Sequence, residues 1–405
     1  MDGVDMHFGF LLSSRALRSI AIIYMALAVP LYLHSIGISI SHIGLIYTGV
    51  MLFMVVLSLL LGMVGDRFGY KKALMLSEIP PIIGGIMLWL SGNIYVMVIA
   101  VVIIGVGGVA GGMRGSFSPG MTAMIASHYG SDEDRVKRLS MLTRTSSAFS
   151  IVGALLLVAQ SFLGGSLGIA GSYRLFFLVA SLLFLMSFAS LVFVRENGRP
   201  RKSTRVMKRS SAVYTMKVAF LNLVNGAALG LSIPLLPLII EEAFRLSVQT
   251  MGVTIGLVYI PSYVGVALGS YLAGRRRGTD TFRIAYLARM SNGIFLVIMG
   301  FVVSLQYFGV AGPSILLVAV TGAYAARSVV SGFGSPSIQT TNIKGIDKED
   351  YGTSSSLQSI AMNSAMSSSG VSGYLVEYML PMPLVVGGLL QLAGGFLYSR
   401  VLRRG

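Results

Sequence analysis

Residues 62–72 read GMVGDRFGYKK. The stretch ahead of them, with Val55, Val56, Leu57, Leu59, Leu60 and Leu61, is almost wholly apolar, and ALML at 73–76 opens another apolar run. An acid and three bases, Asp66, Arg67, Lys71 and Lys72, are thus packed around Gly65 and Gly69 between two hydrophobic segments. Such a knot between greasy runs is a short connection between two membrane spans, and the rest of the chain repeats the pattern.

The chain has 405 residues, 54% hydrophobic and only 11% charged. A soluble domain carries about 25% charged residues, so this chain cannot cover a water-facing surface. Apolar runs of about 18 residues or more recur from end to end and predict transmembrane helices. In lipid each run must satisfy its own backbone hydrogen bonds, which a helix does. The 49 glycines suit closely packed membrane helices. With no cysteine, disulfides, thiolate metal ligands and cysteine nucleophiles are excluded. No cofactor, metal site or catalytic residue is expected, and the chain reads as a non-enzyme. The N-terminus lacks the marks of a removable signal peptide.

Twelve spans are predicted: 17–36, 43–65, 73–91, 94–118, 138–163, 174–194, 214–240, 249–273, 282–304, 313–338, 353–377 and 382–400. They divide into an N-terminal six-helix bundle (1–194), a basic cytoplasmic linker (195–213) and a C-terminal six-helix bundle (214–405). The formal charge of +16 is explained by placement. Of the 31 basic residues, 24 fall on one side of this topology, among them Arg15 and Arg18 ahead of span one and seven in the linker. The positive-inside rule then puts both termini in the cytoplasm of a multi-pass plasma-membrane protein. No nucleic acid is needed to explain the charge.

The halves resemble each other. AVPLYL around Pro30 matches SIPLLP around Pro234, Ile43-Gly44 matches Met251-Gly252, Gly65 falls against Gly274, and Ser118-Pro119 against Ser335-Pro336. The offsets rise in order, as a duplicated six-span unit requires. Internally repeated halves with a solute site between them are a common transporter plan.

Twelve spans in two halves, the basic linker and G-x-x-x-D-R-x-G-x-K-K after span two resemble the major facilitator superfamily. Gly62, Asp66, Arg67, Gly69, Lys71 and Lys72 match its loop 2–3 signature, and YLHSIGISISHIGLI (32–46) is similar to its first outer loop. The resemblance implies that this knot, with Gly65, latches the cytoplasmic side while the outer side is open. It also implies a central cavity between the halves. Span five departs from the drug-antiporter pattern: SSAFSIVGALLLV (146–158) has Gly153 but no Gly-Pro.

Ionisable groups inside spans are expensive and tend to mark function. Arg114, Arg144 and Arg327 are cavity candidates suited to an anionic solute. Tyr24, Asn222, Asn225, Tyr259, Tyr263, Tyr324, Gln358 and Asn363 are the polar candidates for orienting a solute. Each is also an ordinary candidate for a helix–helix hydrogen bond. Glu78, a carboxylate well inside a span, is the candidate proton carrier; the alternative is a structural partner of arginines near the latch. Lys217 and Arg289 are expected to snorkel or pair. His34, His42, Glu241, Glu242 and Glu377 read as solvated charges of the outer surface. GVGGVA (105–110) fits a dinucleotide fingerprint but lies in a span, where it packs helices.

The sequence therefore predicts a secondary transporter that moves a small organic solute by alternating access. Its partners would be that solute, protons where transport is coupled, and the bilayer, with the chain working as a monomer. Efflux of amphipathic compounds is favoured. Organic-anion transport or uniport through the arginines is the alternative, and a non-transporting membrane sensor is the remaining one.

Overall fold

The computed structural model describes residues 2–106, 121, 124–125, 128, 132–196, 207–275, 281–347 and 350–403. The described chain is helical throughout. In order the helices are α1 (Asp2–Ser35), α2 (Ile40–Phe68), α3 (Tyr70–Leu90), α4 (Ile94–Ile104), α5 (Asp132–Val192), α6 (Arg209–Ser232), α7 (Leu236–Phe244), α8 (Val248–Arg275), α9 (Thr281–Tyr307), α10 (Pro313–Ile343), α11 (Tyr351–Met366), α12 (Ser369–Tyr378) and α13 (Met382–Arg403).

Nine described stretches are long and apolar enough to cross a membrane. The twelve spans follow from them. The 56-residue stretch Lys137–Val192 is twice the length a bilayer needs at about 1.5 Å per residue. It turns at Gly168, whose φ of 72° and ψ of 162° lie outside the helical region and suit a residue without Cβ. Spans five and six are therefore the two arms of α5. Span four is described as α4, which ends at Ile104 ahead of a left-handed Gly105; residues 107–118 of the predicted span lie outside the described residues. Span eleven is α11 plus α12, and its serine-rich sequence lowers its hydropathy.

Span seven is also divided, into α6 and α7. Pro234 and Pro237 lie at the break and remove backbone donors. Its counterpart Pro30 stays inside a continuous α1, so the matched prolines bend one half more than the other. The short loops 36–39, 91–93, 245–247, 308–312 and 379–381 share one end of the molecule. The start of α1, the end of α13 and the 62–72 knot lie at the other.

The main buried apolar cluster of the described residues runs across both halves. Tyr24, Tyr32 and Phe177 of the first half belong to the same buried cluster as Leu236, Ile239, Met251 and Tyr259 of the second. Leu52, Val56 and Leu59 on α2, and Leu182, Leu185 and Met186 on α5, are exposed. Apolar side chains turned outward along spans are what a lipid-facing surface requires.

One expectation about the termini of spans is corrected. Arg15 and Arg18 do not precede span one. The span begins at Phe8, and both arginines are buried within α1, at 2% and 4% exposure. Burial of the Arg18 guanidinium is made tolerable by a carboxylate 60 residues away, Glu78.

Candidate functional site

The knot at 62–72 is a corner between α2 and α3. Gly69 has φ 104°, a conformation that a Cβ strains. It is also crowded: a Cβ there would lie 2.6 Å from Glu196 Oε2. Glu196, just past span six, caps the start of α3. Its Oε1 accepts from the Tyr70 N–H at 2.9 Å and its Oε2 from the Lys71 N–H at 3.1 Å. An anion at a helix N-terminus is favourable, because the first N–H groups have no partner inside the helix. Lys71 Nζ donates to the Val192 carbonyl at 2.6 Å, and Lys72 Nζ lies 5.9 Å over the Phe68 ring. The knot thus ties the α2–α3 corner to the exit of span six. Sequence reading missed Glu196, though an acid directly after a span and before a basic linker was the available signal.

The same knot touches the second half. A Cβ on Gly62 would lie 2.9 Å from Ser356 Oγ on α11. Gly65 instead faces Tyr70 and Ala73 of its own corner. Arg67 is exposed. Asp66 is helical, one turn beyond Gly62; its side chain lies outside the described residues.

At the short-loop end the halves meet along two helix pairs. In the first, α2 packs on α11 and α12. Gly44 sits against the Ser369 carbonyl and Gly373, Gly373 sits against Ile40 and Ser41, and Thr48 Oγ1 donates to the Ser367 carbonyl at 2.9 Å. In the second, α5 packs on α8, with Gly252 against Leu157 and Val158 and Gly256 against Ala154 and Leu155. Small residues let backbones approach this closely in lipid, where no hydrophobic force drives helices together.

Three solute candidates lie further along α5 and α8, in helical register with the second seam. Arg144 is on the α5 face of Leu155 and Val158, which follow it by three and four turns. It is half-buried, and its Nε has no hydrogen-bond partner. Tyr259 and Tyr263 follow Gly252 by two and three turns along α8; Tyr259 is buried and Tyr263 is 39% exposed.

Arg327 and Tyr324 lie one turn apart on α10, both buried. Arg327 is about 21 Å from the Pro313 end of its helix, near mid-membrane. Its Nε is unpartnered, and no carboxylate pairs with it among the described residues.

The remaining candidates make links inside a bundle. Tyr24 packs against Phe176 and Phe177, ring centroids 5.7 and 6.2 Å away. Asn222 Nδ2 donates to the Gln358 carbonyl at 3.3 Å, joining α6 to α11. Gln358 Nε2 in turn donates to the Asn342 carbonyl at 3.2 Å and to Ser354 Oγ at 3.1 Å. Asn225 Oδ1 accepts from Gln391 Nε2 at 3.3 Å. Asn363 Nδ2 donates to Ser359 Oγ at 3.5 Å. Arg114 lies outside the described residues.

Glu78 is fully buried at the junction of α1, α3 and α5. Arg18 Nη1 donates to its Oε2 at 2.6 Å and Ser187 Oγ to its Oε1 at 2.9 Å. Ser14 and Ser187 hydroxyls extend the chain at 2.8 Å. Its partner is thus a span-one arginine, where an arginine near the latch was expected. Arg289 does not snorkel: it is buried with its guanidinium 4.5 Å over the Tyr398 ring.

Comparison with known proteins agrees with this architecture. Over 292 residues the chain is 26% identical to the multidrug resistance protein MdtG of Salmonella paratyphi C (strain RKS4594), covering 67% of each chain. It is 28% identical over 197 residues to MdtG of Enterobacter lignolyticus (strain SCF1), 46% of this chain and 43% of that one. The match therefore spans about half the length of some curated relatives. In three dimensions it is similar to the human organic anion transporter MFSD10 (TETRAN), with TM-score 0.66 and 14% identity over 98% of this chain and 100% of that one. It is likewise similar to the E. coli fucose:proton symporter FucP, with TM-score 0.67 and 13% identity over 98% of both. The family model of the Major Facilitator Superfamily matches residues 11–371. This chain, with its two six-helix bundles and its 62–72 signature, belongs to the Major Facilitator Superfamily.

Proposed function

We propose that this protein is a secondary active transporter that exports an amphipathic organic solute by alternating access. Residues 1–194 and 214–405 act as two rocking bundles, 195–213 is their cytoplasmic tether, and both termini lie in the cytoplasm of a plasma-membrane monomer. The observation that carries the reading is the pair of glycine-lined seams, α2 on α11–α12 and α5 on α8, that close the short-loop end. Seams built from small residues separate without tearing interlocked side chains, which is what rocking about a midplane site demands. The MdtG relatives, called multidrug resistance proteins, support the amphipathic solute.

A second reading, organic-anion transport, is favoured by Arg327. A mid-membrane guanidinium with no carboxylate beside it among the described residues is costly unless something anionic reaches it. Arg144, further along α5 in register with the α5–α8 seam, supplies a further cation.

Coupling to protons is assigned to Glu78. A proton arriving there would break the Arg18 link, so coupling through Glu78 requires Arg18 to be released during the cycle.

The test is flux. Purified protein in liposomes loaded with a pH dye is offered amphipathic cations, organic anions and sugars, with wild type beside Glu78→Gln and Arg327→Gln. Uptake or release of amphipathic cations, lost in neither arginine nor acid variant, supports the first reading without proton coupling at Glu78. Selective loss of anion flux in Arg327→Gln moves the assignment to the second. No flux with any solute overturns both.

A further inference from the structure

Two carboxylates of the second half reach the first half at the short-loop end. Glu241 Oε2, near the end of α7, lies 3.7 Å from His34 Nδ1 in the last turn of α1. Glu377 Oε1, near the end of α12, accepts from the Ser41 N–H in the first turn of α2 at 2.9 Å. Beside it, Ser39 Oγ and His42 Nδ1 share a hydrogen bond of 2.6 Å. The sequence holds four histidines, and two of them face acids across this one contact. His34 and Glu241 are 32% and 24% exposed, reachable by protons and sheltered enough for charge to count.

We propose that His34 and Glu241 form a proton-operated clasp, with Glu377 and His42 in support, that holds the two halves shut at the short-loop end. Histidine is the side chain whose charge changes between pH 5 and 8. An imidazolium attracts the Glu241 carboxylate across the seam; a neutral ring does so far less. Acid on this side therefore favours closure, and proton loss loosens it. The other groups facing Glu241 are Glu242 on its own helix and the Tyr173 hydroxyl of α5, neither of them a cation. Arg174, the nearest base in sequence on α5, donates from Nε to the Tyr32 hydroxyl at 3.4 Å. Around Glu377 the facing groups are the Ser39 and Ser41 hydroxyls and His42. His42 acts with the same sign as His34.

The clasp rests on the alternating-access reading, because it needs halves that part at this end, and the experiment separates the two. The chain has no cysteine, so Ile36→Cys and Gln249→Cys, exposed on opposite halves beside the contact, give a clean spin-label pair. Distances are measured on the full chain in lipid nanodiscs at pH 5.5 and 8, in the reporter background and with His34→Gln, Glu241→Gln or His42→Gln added. The long-distance population should rise about threefold from pH 5.5 to 8, the size expected for one partly exposed ion pair. His34→Gln and Glu241→Gln should show the pH 8 distribution at both values, and His42→Gln should retain most of the change. Two distance populations that ignore pH, or a His34→Gln protein that responds like the reporter background, would overturn the clasp while leaving alternating access standing. Abolition of the response by His42→Gln alone would move the switch off His34 and overturn the proposal as stated. A single distance under every condition would tell against alternating access itself, and the clasp with it.

Discussion

Gly44 and Gly252 are counterparts in the two halves, and each is the point where its helix meets the opposite half. A Cβ on Gly44 would stand 2.7 Å from the Ser369 carbonyl and 2.9 Å from Gly373 Cα; one on Gly252 would stand 2.8 Å from Val158 Cγ2 and 3.1 Å from the Val158 nitrogen. The sequence repeat thus carries a contact: the same glycine closes α2 on α12 in one half and α8 on α5 in the other. Gly44→Leu should wedge the short-loop end apart, because its first obstacles are backbone atoms that move only with their helix. Overpacking of this kind costs about 1–3 kcal/mol, so transport should fall about tenfold or more while the protein stays folded. Gly252→Ala should do less, since the first atom it meets is a side-chain methyl. Flux and the Ile36/Gln249 label distance check both; an unchanged distance in Gly44→Leu would remove the seam from the mechanism.

The corner at Gly69 is a test of the knot as structure. Gly69→Ala meets both a positive φ and a carboxylate oxygen, and should cost about 1–3 kcal/mol. Glu196→Gln keeps the shape and removes the charge from the start of α3, costing about 0.3–1 kcal/mol. Thermal unfolding in detergent should rank Gly69→Ala well below Glu196→Gln and wild type. Equal melting of all three would mean that the cap does not hold the corner.

The knot as a latch is tested at Asp66. Gly62 faces the second turn of α11 at Ser356, and Asp66 follows Gly62 by one turn along α2. Asp66→Asn should impair transport severalfold without altering folding. Wild-type turnover in that variant would leave Arg67, Lys71 and Lys72 as topology anchors only.

How much of this was legible in the sequence depends on the distance over which each feature is decided. Helices were legible, because lipid makes every long apolar run solve its backbone hydrogen bonds locally. The corner was legible down to Gly69, because a turn and its glycine are local too. Arg15 and Arg18 misled: they look like flanking charges until Glu78, far along the chain, is seen to face Arg18. Asn222, Asn225, Gln358 and Asn363 stand out in the sequence as polar groups in spans, but a sequence does not say whether a partner is a solute or the next helix, and here each has a protein partner. His34 and Glu241 each read as solvated loop charge. Their meeting is a property of how two halves dock, 207 positions apart in the chain, and no local pattern encodes it.

Glu78 separates two mechanisms that make opposite demands. Its carboxylate holds Arg18 at 2.6 Å and accepts from Ser187 at 2.9 Å, with the ion pair 4% and 0% exposed. If the pair is structural, Glu78→Gln strands a buried guanidinium and should cost about 3–5 kcal/mol, a large drop in melting temperature. Replacing both partners, Arg18→Met with Glu78→Leu, should recover much of that loss, because a buried ion pair is worth little more than apolar packing of the same volume. Recovery will fall short of complete, since Arg15 also draws on the Glu78 charge. If Glu78 is instead the proton carrier, Glu78→Gln should leave melting nearly unchanged and abolish the solute-evoked pH change in liposomes. Melting curves on the three proteins beside the dye signal decide between a strut and a relay. A destabilised Glu78→Gln, rescued by the double variant with its pH signal intact, would make the pair a strut and remove Glu78 from the coupling step.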